Sequence, residues 1–426
     1  MGRGEGGHGE ATATRAGGWQ VAPIEFTVFP PGAPITDVVW QTPTILVALA
    51  VGSDGRITVI WLDTSIHPQQ WAVAGFGPAT FVPGTRITNL VWQTPTILAA
   101  LVVDGQGFVN VVWLDLEQQP QRWQVAAFGP AVFSSAGRIT ALVRQTPTVL
   151  AALAVDVNGY ANVVWLDVDN PPWRVSPFGL PVFPAGAYVT DPVWQTPTIL
   201  AALAVDIGGR GSVIWLDLAQ AQGWRIHPFE QGTFVAGGPI SGLGGQASGV
   251  LAALAIDASG SPAVLWLDLH QAQGWQAATF GAPTFPAGAP VTDLVQQSPT
   301  VVAALAIDVN GQANVAWTDS GQQPQQWRAA AFGPASFSPG TRVSELAWQT
   351  SEILAALAID AQGLANVLWL DLNQQSPQWR VGAFGAAVFP GGAAITRPTW
   401  HSPTRLASLA IDASGRVNVL WLDLSP

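Results

Sequence analysis

The chain is 426 residues long, 49% hydrophobic and only 10% charged, with a formal net charge of −11. Every basic residue is Arg and Cys is absent, which excludes disulfides, thiol chemistry and Cys-ligated metal. An acidic, Lys-free surface suits neither nucleic acid nor an anionic membrane.

In chain order, residues 1–18 (MGRGEGGHGEATATRAGG) are Gly-rich and polar and lack the apolar core of a signal peptide. They read as a flexible tail. Mean hydropathy is high at +0.30. Yet the apolar runs, such as ILAALAV at 199–205, are short, as buried strands are; a membrane-spanning helix needs about 20 apolar residues. The expectation is a soluble protein without membrane insertion, cytoplasmic or released by a non-classical route.

From residue 19 onward one pattern repeats. The segment ITDVVWQTPTILVALAVGSDGRITVIWLD at 35–63 returns as ITNLVWQTPTILAALVVDGQGFVNVVWLD at 87–115, and then six more times. Trp40 has its equivalents at Trp92, Arg144, Trp194, Gly245, Gln296, Trp348 and Trp400, at intervals of 50–52 residues. Each unit splits into four strand-like pieces: A (ITDLVWQ), a QTPT turn, B (ILAALAVD), a Gly-containing hairpin turn, C (NVVWLDL), a Gln/Pro-rich loop, and D (QWRVAAF). The B piece lies between a Pro-containing turn and a Gly turn and is too short for a stable helix.

Four strands in about 51 residues define a propeller blade. The chain begins with a D-like piece, WQVAPIEFTVF from Trp19, and its last unit stops after strand C at Trp421-Leu422-Asp423. The first strand can therefore complete the last blade. Residues 19–426 are expected to form a single all-β domain, an eight-bladed β-propeller with four antiparallel strands per blade, closed by its N-terminal strand.

All 21 Trp fall on three positions of the repeat, near the ends of A and C and the start of D. Strand polarity puts all three toward one rim. The C and D positions hold Trp in every copy and read as packing groups. The A position varies, to Arg144, Gly245 and Gln296, so Trp40, Trp92, Trp194, Trp348 and Trp400 read either as inter-blade packing or as exposed platforms for the apolar face of a sugar ring. The Asp ending strand C (Asp63 and its equivalents) and the Asp ending strand B (Asp104, Asp156 and onward) read as turn caps. The B–C turns lack the acidic alternation and terminal Glu of a calcium loop. His8, His67, His227, His270 and His401 occupy scattered repeat positions with no metal spacing, and no nucleophile-elbow or phosphate-loop motif occurs. The expectation is a protein without catalytic residues, bound metal or cofactor.

The order Trp-x-x-Pro, apolar strand, Gly hairpin, Trp-Asp strand end and a further Trp, as in Trp194-Gln195-Thr196-Pro197, Leu200 to Asp206, Trp215-Leu216-Asp217 and Trp224, resembles the bacterial fucose-binding propeller lectins, which have seven blades. The resemblance covers residues 19–426. It implies sugar sites between adjacent blades, with the Trp before the Pro helping to line each pocket: Trp40, Trp92, Trp194, Trp348 and Trp400. This chain departs from the family in having eight units, Gln or His after that Trp where the family has Gly, and Asp after strand B where the family has Arg-Gly. The expected partners are glycans, fucose-containing ones among them, and the expected function is a multivalent lectin with repeated inter-blade sites. The alternative is a non-enzymatic structural or protein-interaction propeller.

Overall fold

A computed structural model describes residues 18–424 apart from 68, 136, 221–222, 230–232, 248, 272–273 and 323–325. Apart from Gly18, the tail read at 1–18 lies outside the described residues. The described residues form eight four-stranded antiparallel sheets and no helix. Blade 1 runs A (Val39–Trp40), B (Ile45–Val51), C (Ile57–Asp63), D (Trp71–Phe76), and each later blade repeats that order. Blade 8 takes A (Thr399–Ser402), B (Arg405–Ile411) and C (Arg416–Asp423) from the C-terminus and D (Trp19–Thr27) from the N-terminus, with Trp19 opposite Leu422 and Gln20 opposite Trp421. The ring closes as the sequence predicts.

Burial explains why the B pieces are continuous apolar runs. Leu46, Ala48 and Ala50 pack into the cluster shared with blade 8, whereas Val47, Leu49 and Val51 pack into the one shared with blade 2. Alternate residues of one strand thus face opposite neighbours, so both faces must be apolar. Among the described residues, the Phe at the end of strand D of one blade packs against the Trp at the start of strand D of the next at seven seams, with ring centroids 5.6–6.1 Å apart. Such pairs contribute about 0.5–1.5 kcal/mol each beyond area burial. The B–C hairpin Gly is required by backbone contact. Gly159 has φ +83°, and a Cβ there would lie 2.3 Å from the Phe183 carbonyl oxygen.

Strand A is innermost and very short, and a side chain completes its pairing. In every blade a Thr or Ser four residues before the A-strand Trp position accepts a hydrogen bond from a strand-B amide through its Oγ, as Thr190 does from Leu203 N–H at 2.8 Å and Thr140 from Leu153 N–H at 2.8 Å. The next residue on the chain faces the central tunnel and ties blades together. Asp37 accepts from Arg397 N–H, Asp191 from Ala141 N–H, Asp293 from Gly242 N–H, and Glu345 from Asp293 N–H, each across a seam.

Three expectations follow. Deleting residues 1–28 should destabilise the whole ring in thermal melts, because it strips a full strand from blade 8; deletion of 1–18 should leave the melt unchanged. Thr190→Val removes an acceptor from the buried Leu203 amide and should cost about 1–3 kcal/mol in denaturant titration. Burial, then the charge of Asp293, pushes Glu345 up to about 8, and burial also raises Asp293. Between roughly pH 4.5 and 8 the folded state therefore holds protons that the unfolded chain has lost. Stability should fall as pH rises through that window, and Glu345→Gln should remove most of the slope.

Candidate functional site

The site follows from strand register. Trp92, Leu98, Leu114 and Trp123 lie directly opposite one another across the four strands of blade 2, so they share a face. Trp113 stands one residue away, opposite Ala99, on the other face. The A- and D-strand indoles of a blade therefore lie on one face and its C-strand indole on the other. When blades stack, the C indole of one meets the A and D positions of the next. Trp421 of blade 8 packs in the same cluster as Trp40 and Trp71 of blade 1, and Trp317 of blade 6 with Trp348 and Trp379 of blade 7. The three aromatic positions form one inter-blade seam, although the sequence reading separates them into packing and binding classes.

The C and D indoles are half-buried, except for Trp19, which is fully buried. Between them the seams open to the surface. A cleft of about 640 Å³ between blades 8 and 1 is lined by Trp421, Trp71, Gln69, Gln70, His401 and Arg405. One of about 500 Å³ between blades 5 and 6 holds Trp266, Trp327, Gln326 and Thr279. Aromatic walls with amide, imidazole and guanidinium groups suit a ligand with both an apolar ring face and hydroxyls.

The five A-strand Trp sit on five separate seams. Trp92, Trp194 and Trp400 are 37–39% exposed, whereas Trp40 and Trp348 sink into the clusters just described. Where the indole is replaced, the contacts change. The Arg144 guanidinium donates to the Pro147 carbonyl of its own turn (2.6 Å) and, across the seam, to the Gln93 carbonyl of blade 2 (3.0 Å). Gln296 Nε2 donates to the Pro299 carbonyl. At Gly245 a Cβ would meet nothing within 4 Å.

Guanidinium groups also cover some C-strand indoles: Arg174 lies 4.9 Å from the Trp165 ring and Arg225 5.1 Å from that of Trp215. The blade 8/1 cleft differs from the rest. Strand B opens there with Arg405, where the other copies have Ile or Val. Its Nε donates to Asp423 at 2.8 Å, and its guanidinium lies 5.7 Å from the Trp421 ring. His401 replaces the Gln of sister units, and its buried Nδ1 has no hydrogen-bond partner among the described residues. Burial, then Arg405, lowers its pKa, so the imidazole is neutral at pH 7.

The two Asp ladders cap turns. Asp156 Oδ1 accepts from the Asn158 and Tyr160 amides and its Oδ2 from the Asn162 side chain; Asp115 accepts from the Glu117 amide. Among the described residues no group of three or more His, Asp or Glu is placed to hold a metal ion.

No family model matches the chain, and no curated protein matches it. Solved structures do. The BP39L lectin from Burkholderia pseudomallei is similar at 25% identity and a TM-score of 0.62, over 80% of this chain and 96% of that one. The WD40 domain of SCAP from fission yeast (10% identity, TM-score 0.53, 96% of this chain and 99% of that one) and Sqt1 from Saccharomyces cerevisiae (11%, 0.52, 95% and 100%) share the fold. The fold and site define an eight-bladed propeller with aromatic clefts between its blades, and the chain resembles the propeller lectins.

Trp215→Ala should cost about 2–3 kcal/mol, below the roughly 3–5 kcal/mol of a fully buried aromatic. Trp194→Ala should cost about 1 kcal/mol or less, since more of the indole is already in water. Paired denaturant melts check the ordering.

Proposed function

We propose that the protein is a multivalent carbohydrate-binding lectin, without catalytic activity, whose sites are the seams between blades. The carrying observation is the seam geometry: the C indole of one blade and the D indole of the next bracket an open cleft at the blade 8/1 seam, which bears Trp40, and at the blade 5/6 seam, which bears Gln296, and exposed A-strand indoles, Trp92, Trp194 and Trp400, stand at three further seams. A flat indole offers apolar contact to the C–H face of a sugar ring, and the neighbouring amides and Arg405 can bond its hydroxyls. Similarity to a propeller lectin at 25% identity supports the reading. Repetition of the cleft suits weak single sites that gain strength when a surface displays many copies of one sugar.

On this reading the strongest sites are at the seams bearing Trp40, Trp92, Trp194, Trp348 and Trp400, and the seams bearing Arg144, Gly245 and Gln296 bind least. Fucose-containing glycans are the first candidates. The protein should bind displayed glycans on an array without calcium, and indole fluorescence should respond to the matching monosaccharide. Replacing the five A-strand Trp together by Ala should lower binding to a displayed glycan at least tenfold while the melt stays cooperative. Gly245→Trp, which enters open space, should add a site. A folded five-site variant that binds undiminished removes the A-strand assignment.

A second reading, a protein-docking scaffold, draws on the opposite rim. Leu180 and Ile207 are each 71% exposed there, on adjacent loops joined by the Ile207 N–H to Val182 carbonyl bond. A chain that ignores every glycan on a broad array would favour this reading.

A further inference from the structure

The central tunnel holds charges that the seams do not use. Two residues before the Thr/Ser clip, each strand-A segment presents a side chain toward the axis: Arg86 in blade 2, Arg138 in blade 3, Tyr188 in blade 4 and Arg342 in blade 7. A tunnel cavity of about 240 Å³ is lined by Arg138, Tyr188, Pro239, Pro290, Arg342 and Glu345, from blades that stand across the ring from one another. Arg86 joins Arg138 and Tyr188 in a narrower recess beside it. The three guanidinium groups therefore converge on one stretch of lumen. Arg86 and Arg342 depress the proton affinity of their neighbours: burial, then Arg86, lowers Arg138 to about 10, and burial, then Arg342, lowers Arg86.

Like charges that converge need compensation, and the chain supplies it only through carboxylates that make no direct contact with them, Asp191 toward Arg86 and Arg138 and Asp37 toward Arg86. None of the three guanidinium groups makes a hydrogen bond or ion pair with a described residue; Arg138 only stacks 4.5 Å over the Tyr188 ring. Carboxylates share the lumen without an ion pair to these groups: Asp191 lines the recess with Arg86 and Arg138, and Glu345 the cavity with Arg138 and Arg342. They are committed to the seams: Asp37, Asp191, Asp293 and Glu345 each accept a backbone N–H from a neighbouring blade. Glu345, the carboxyl that shares the cavity with Arg138 and Arg342, keeps its proton near neutral pH.

We infer that Arg86, Arg138 and Arg342, with Tyr188, form an anion site in the central tunnel that takes a compact multivalent oxyanion of the phosphate or sulfate class. Guanidinium forks bond such oxygens in pairs, and donors from opposed blades can reach different oxygens of one tetrahedral anion. An anion there would neutralise the repulsion and cross-link blades 2, 3 and 7, stabilising the closed ring through its axis. The site is independent of the glycan clefts, which open near the other end of strand A.

The test is calorimetric titration of the intact chain with inorganic phosphate and with sodium sulfate, each against sodium chloride at matched ionic strength, together with thermal unfolding. Phosphate or sulfate should bind in the tunnel with about one ion per chain. A tenfold excess over Kd should raise the unfolding midpoint by about 1–2 °C. Arg138→Gln and Arg342→Gln should each weaken binding at least tenfold. Arg56→Gln, on an exposed turn where Arg56 faces Asp54 at 3.8 Å, should leave it unchanged. Glycan binding should be the same in all three variants, so failure of the tunnel site and failure of the lectin reading are separable. Equal responses to chloride, no uptake of either oxyanion, or full binding by both tunnel variants would overturn the inference.

Discussion

Each blade carries two apolar faces, and only another blade can bury them. Leu46 and Val47, adjacent on one strand, belong to hydrophobic clusters on opposite sides of blade 1. A stack of such sheets has no natural end, because the last blade would expose a face as apolar as any in the core. Closure is the solution that leaves none exposed, and the pairing of the N-terminal strand with Arg416–Asp423 holds the closure with a full sheet edge. Everything else depends on this constraint. The faces must match all round the ring, so the residues at the seams must repeat, and whatever a seam can bind it presents several times.

The same constraint decides what was legible in the sequence. Blade number and closure were readable because a D-like piece precedes the first unit and the last unit lacks one. The Asp caps were readable because an Asp before a Gly turn has a local use for its carboxylate. The convergence of the three Trp positions was not. It depends on parity across four strands: Trp92 and Trp123 share a row and Trp113 stands one residue off it, and that offset is fixed by loop geometry rather than by residue type. The Thr36 series carried a visible signal, Thr or Ser in all eight units, but its hydroxyl reaches across to strand B, and sequence alone does not show which amide lacks a partner there. The tunnel charges were hidden by their variety. Pro, Arg, Tyr and Ala alternate at one repeat position, because lumen positions are under no demand to match their neighbours.

The copies differ where the seams tolerate it. Arg144 satisfies its guanidinium on carbonyls of its own turn and of the preceding blade, so loss of an indole there leaves no unpaired charge. Gly245 leaves open space. Neither change disturbs the C and D indoles that bracket the same seam, which explains how the A position can vary while those two do not. Packing resides mainly in the invariant pair, and the A position modulates what the cleft presents.

The ring also separates its polar chemistry by depth. Hydroxyl and amide groups that cap turns are spent within one blade; carboxylates of the tunnel layer are spent on amides of the preceding blade. Two further sets of guanidinium groups stand apart from these. Some lie over indoles in the clefts, where a cation gains from the ring face and stays in contact with water. The others lie in the tunnel, where residues from distant blades approach one another because the ring is closed. Closure thus creates a meeting point along the axis that no single repeat encodes, and it is there that the sequence departs most freely from its own repeat.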